Sequence, residues 1–208
     1  MLFRSIVMAG LVGVVPVAQA RITRIQIVER QSPTFGGYAW PGVGQYEKIV
    51  GKAYGELDPR DPKNAAIVDI ALALRNARGR VEYAFDFYIL KPVDPSKGAH
   101  KVVYEPPNRG AKTWQSLGRF STGGDDPGSV TNSADLANAF LMARGYTMVW
   151  SGWDASAGTD NSKYVTTITL PVARNADGSS ITGPAYEYIV TQAASYALAY
   201  PAATTDTT

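Results

Sequence analysis

Residues Ser133 to Asp154 (SADLANAFLMARGYTMVWSGWD) constrain the fold more than any other stretch of the chain. They read as a helix, a one-residue stop and a buried strand. Asn132 or Ser133 caps the start, because a short oxygen-bearing side chain accepts from the free N–H groups of the first helical turn. Leu136, Ala137, Phe140, Leu141 and Arg144 follow i, i+3, i+4 spacing, which predicts one apolar helix face. Gly145 stands where a left-handed C-cap is needed. Tyr146 to Trp150 is then apolar almost without a break, as in a parallel strand covered on both faces. A helix feeding such a strand through one Gly is the second half of a βαβ crossover. It requires a strand upstream, and Lys101 to Glu105 (KVVYE) supplies one.

The chain before that strand predicts an antiparallel β-meander. Ile22 to Glu29 carries β-branched residues with partial alternation, and Tyr46 to Leu57 resumes an extended pattern. Arg80 to Leu90 is the clearest strand: Val81, Tyr83, Phe85, Phe87 and Ile89 alternate with Glu82, Ala84, Asp86 and Tyr88. Asn64 to Leu74 fits helix and strand periodicities equally and is read as a short turn followed by extended chain. Asn76 to Gly79 is a hairpin turn, and Val165 to Leu170 a later strand before the turn Asn175 to Gly178. The long segment Pro106 to Asn132 has no clear pattern, which marks it as functional or disordered.

Composition narrows the class. The 208 residues are 45% hydrophobic and 18% charged, enough for one domain with a sizeable core. Residues 1–20 read as a signal peptide: Arg4, an apolar run from Ile6 to Val17, and a small-x-small cleavage site at Ala18-Gln19-Ala20. The apolar run is short of a membrane span, so no stable span is expected after cleavage. Without those residues 19 basic groups face 18 acidic ones, which gives no electrostatic case for nucleic acid. The chain has no Cys, so its core holds the fold without disulfides in a periplasmic or secreted setting.

Two sets of residues carry a family resemblance. One is KVVYE, Asn108-Arg109-Gly110 and the run FLMARGYTMVWSGW. The other comprises Gly44-Gln45-Tyr46-Glu47, Asp58-Pro59, Asn64, Ile67-Val68-Asp69, Asn76-Ala77, Gly79-Arg80-Val81-Glu82-Tyr83 and Ser151-Gly152-Trp153. Together these resemble the exported bacterial proteins known as alpha/beta hydrolase domain-containing proteins. The resemblance implies an α/β class: an incomplete α/β-hydrolase-like fold in residues 21–208, with the meander leading into the βαβ unit. It implies carboxylic-ester hydrolysis in a longer protein acting on a small-molecule ester. The nucleophile, acid and His would lie downstream, so the chain alone is expected to be inactive. No cofactor and no metal are implied.

The residues agree that a triad is missing. No G-x-S-x-G occurs, and Asp154-Ala155-Ser156-Ala157-Gly158 lacks the first Gly of that elbow. His100, the sole histidine, precedes the segment where the triad His, last in chain order, belongs. Asn108, Arg109, Gly110 and Ala111 occupy the place of an oxyanion loop, where backbone N–H groups stabilise developing negative charge. A strand-end turn with an internally paired Arg109 is the competing reading. Trp153 and Asp154 are candidate pocket-wall residues at the carboxyl end of a strand, with plain packing as the alternative. Asp125-Asp126 in a Gly-rich loop lacks EF-hand spacing and reads as a solvated loop. A different class of function, a small exported β-rich binding module, would use Tyr38 and Trp40 in the aromatic loop Gln31 to Gly44.

Overall fold

The computed structural model describes residues 21–113, 124–157 and 164–184. The segment read as a signal peptide (residues 1–20) and the C-terminal tail fall outside them. Contacts divide the chain into Met1–Ala173 and Arg174–Thr208. Of the second unit, the described part is a tight turn, in which Gly178 N–H donates to Asn175 (2.9 Å) beside an Arg174–Ser180 bridge.

The first unit is one mixed sheet. Its strands are β1 (Arg21–Gln31), β2 (Ala39–Trp40), β3 (Gly44–Leu57), β4 (Val81–Pro92), β5 (Val102–Glu105), β6 (Thr147–Ser151) and β7 (Ile168–Thr169). They run in the order β1-β3-β4-β6-β5, with β2 paired to β3 and β7 to β4. The meander is as expected: β1, β3 and β4 pair antiparallel over long registers, from Tyr46↔Pro92 to Leu57↔Val81 between β3 and β4. The crossover is also present, since β5 and β6 pair in parallel from Val102↔Thr147 to Glu105↔Trp150.

The fold class itself is corrected. The α/β-hydrolase-like reading required helices as a layer, and the described residues hold seven strands against one α-helix, α1 (Ser133–Ala137). The protein is β-rich, and its sheet is antiparallel except at one pair. The helix expected to run to Arg144 stops early for a local reason. Asn132 caps it through Ala134 and Asp135 N–H, but Asn138 then turns its own amide back on Ala134 O (2.9 Å). The chain re-forms as a 3-10 turn over Met142–Arg144 before Gly145, which is left-handed at φ +71. Burial consequently falls on Leu136, Ala139 and Met142, spaced by three, while Phe140 is half exposed. Residues 64–74 form 3-10 turns around Ile70–Leu72 instead of extended chain.

The two sheet faces differ in chemistry. Side chains alternate between faces along a strand. One face presents Tyr46, Val50, Tyr88, Leu90, Met148 and Trp150 to the crossover, where Leu136, Ala139 and Met142 complete the core with Phe35 and Trp40. On the other, Ile25, Ala53 and Phe85 stand in register, as do Ile27, Gly51 and Phe87. Aromatic rings lie over glycine there: a Cβ on Gly51 would sit 2.5 Å from the Phe87 ring, and one on Gly55 2.3 Å from that of Tyr83. Ile25, Ile27 and Tyr104 remain more than half exposed on this face.

Candidate functional site

The sequence-predicted residues converge at the carboxyl ends of β5 and β6. Asn108 and Ala111 exchange both backbone hydrogen bonds (2.9 and 3.1 Å), so the four residues form a two-residue hairpin. Its central residues are left-handed, Arg109 at φ +48 and Gly110 at φ +86, as a type I′ turn demands. Trp153 donates its indole N–H to Pro107 O (2.6 Å), joining the end of β6 to this loop. Asp154 caps its own turn through the N–H and hydroxyl of Ser156 (2.8 and 2.7 Å). Those bonds, with Arg109 nearby, hold its carboxyl below the usual range.

Backbone donors and packing can both be followed in this turn. The N–H groups of Asn108 and Ala111 are spent on each other, while those of Arg109 and Gly110 have no partner among the described residues. Gly110 is needed for packing: a Cβ there would lie 2.5 Å from Val165 and 2.8 Å from Ala157 and Thr166 O. Its carbonyl accepts from Thr166 N–H (3.1 Å). The room left by its missing side chain therefore holds protein.

A buried polar cluster lies beside this turn. Glu105, the last residue of β5, accepts from Trp150 Nε1 (2.6 Å), from Thr113 N–H (2.7 Å) and from the Thr113 hydroxyl. Lys112 is 6% exposed and donates to the carbonyls of Asp125 and Tyr164, with its ammonium over the Tyr88 ring at 4.6 Å. Burial pulls its pKa down to about 8, against the opposing pull of Asp125, Asp126, Glu105 and Asp86. Asp126 accepts from Tyr88 (2.6 Å) and pairs with buried Lys48 (3.2 Å), which also meets Glu29 (2.7 Å). Burial, then Asp126, pushes the Tyr88 phenol well up. The Asp125-Asp126 loop is thus a core tether. Periodicity had no means of finding Lys112, since it lies in an irregular segment and its partners come from 13 to 52 residues away.

The remaining candidates are spread apart. His100 is exposed in the turn before β5, and the Ser156 hydroxyl is bound to Asp154. No group of three or more His, Cys, Asp or Glu among the described residues is arranged to hold a metal. The aromatic loop is consumed by the core. Trp40 is 2% exposed, donates to Leu136 O (2.9 Å) and packs edge-on against Phe35, Tyr38 and Tyr46 at 4.9–5.2 Å.

A separate apolar cavity of about 290 Å³ opens where β3, β4 and β7 end. Leu57, Val81 and Tyr83 line it from the sheet, Ile67 to Ile70 and Ala73 from the 3-10 segment, and Ile168 and Leu170 from β7 and beyond. No helix among the described residues is long and apolar enough to cross a membrane. No family model matches the chain, and neither the curated proteins nor the solved structures contain a match.

Proposed function

We propose that this chain contributes the charge-stabilising part of a serine ester hydrolase, exported to the periplasm or secreted, and is inactive alone. One observation carries the reading: two adjacent backbone N–H groups, of Arg109 and Gly110, stand without partners among the described residues just past the carboxyl end of a parallel strand. Preorganised donors of this kind stabilise a forming oxyanion at no reorganisation cost. Trp153 and Asp154 fix the adjoining wall through Pro107 and Ser156. In this division of labour the nucleophile and its base come from outside the 208 residues.

The test has two parts. Purified chain should show no turnover of p-nitrophenyl butyrate, and activity sensitive to a serine-directed fluorophosphonate would overturn the proposal. The coding sequence read in frame past Thr208 should contain G-x-S-x-G, and its absence would equally overturn it. Gly110→Val is not a usable probe, because the added side chain meets Val165 before it meets any substrate.

A further inference from the structure

We propose that the cavity at the end of β3 and β4 is a binding site for a small cationic amphiphile, an apolar body carrying an ammonium head. This inference does not rest on the ester-hydrolase reading and uses none of its residues. At about 290 Å³ the cavity is at the lower end of the roughly 300–1,000 Å³ typical of small-molecule sites. Its walls are almost wholly apolar: Leu57, Val81, Ile70 and Ile168 among others. Burying a hydrocarbon chain against them stabilises a complex by about 25 cal/mol per Å² of apolar surface.

Charge in the lining distinguishes one amphiphile from another. Asp69 is the one ionisable carboxylate of the lining, and it is exposed. Its backbone is left-handed at φ +55, uncommon for a residue with a Cβ. It precedes the 3-10 turn Ile70–Leu72 yet makes no side-chain cap, and it forms no ion pair among the described residues. Among the described residues Arg60 and Arg80 pair with Asp58 and Arg78 with Glu56, and none of them forms an ion pair with Asp69. Tyr83 also contributes to the lining, and aromatic rings attract ammonium groups through their faces. An exposed carboxylate in an otherwise apolar lining that includes a tyrosine is complementary to a cation with a hydrocarbon tail.

The experiment is calorimetric titration of the full chain with decyltrimethylammonium, decyl sulfate and decanol below their aggregation thresholds. The cation should bind saturably and about tenfold tighter than the anion, with the difference shrinking in 0.5 M salt. Asp69→Asn should bring the cation down to the level of decanol. Ala73→Phe, which fills the chamber, should abolish binding of all three. Equal affinity for the three probes, indifference to Asp69→Asn, cation binding that survives Ala73→Phe, or no saturable binding would each overturn the proposal. Circular dichroism of both variants separates loss of the site from loss of the fold.

Discussion

Lys112 should make the protein more stable in mild alkali than at neutrality. Its ammonium is buried and its pKa is drawn down to about 8, whereas in the unfolded chain it returns to about 10.4. Between pH 7.5 and 9 the unfolded state therefore holds more protons than the folded one. Stability rises with pH wherever that is so. Integrating the two titrations over that window gives a gain of about 1 kcal/mol, equivalent to about 2–4 °C in Tm for a domain of this size. The window stops at pH 9 for a reason. Tyr46, Tyr83, Tyr88 and Tyr164 all have phenols raised by burial, so above it ionisation of the unfolded tyrosines works in the opposite direction. The assay is thermal or urea unfolding at half-unit pH steps, with Lys112→Met as the reference. Wild type should climb relative to the variant across the window. Parallel profiles would refute the reasoning. They would mean that the Tyr88 ring and the two carbonyl acceptors hold the ammonium charged against its loss of water.

Three other perturbations test the same architecture. Gly152→Ala places a Cβ 2.0 Å from Thr167 O, a backbone atom that cannot yield, and should cost at least about 3 kcal/mol in urea unfolding. Trp150→Phe deletes the 2.6 Å bond to Glu105 and should cost about 1.5–3 kcal/mol, because a buried carboxylate loses a donor. Glu56 is held down to about 2 by Arg78 first and then Arg21. Its contribution is present above the unfolded carboxyl range and is lost as pH falls toward 2. Glu56→Gln should flatten the acid limb of the stability profile between pH 4.5 and 2, and an unchanged limb would show that the two arginines do not act through it.

Strands whose partners are close in sequence were legible. Alternation located β4 within two residues at each end, and the meander followed from the turns between its strands. The parallel pair was also found, because Gly145 and the unbroken run to Trp150 have one simple explanation. The fold class was lost at α1. A stripe of apolar residues spaced for an α-helix does not reveal that Asn138 will compete for Ala134 O and shift burial to every third residue. Without that helix the sheet is a β-rich body with one parallel edge. The Asn108–Ala111 turn was visible by position, but the packing of Gly110 under Val165 depends on a segment 55 residues later. The cavity is unreadable in the sequence, since its walls come from four separate stretches and the pattern of its 3-10 wall predicts extended chain.

The parallel edge also sets an order of events. The contacts of β1, β3 and β4 join neighbouring segments, whereas β5 meets β6 only after residues 106–146 have been brought round. Closing that span costs chain entropy before any ladder bond is gained. The meander is therefore expected to assemble before the β5–β6 pair. In the native state the same asymmetry runs in reverse. β5 is four residues long and is held by one neighbour, so its amides should exchange with solvent at a lower opening energy than those of β3 and β4. The Asn108–Ala111 hairpin hangs from that strand. Opening of β5 should displace the hairpin while the meander stays intact, so a four-residue edge strand sets how often the Arg109 and Gly110 N–H groups keep their positions.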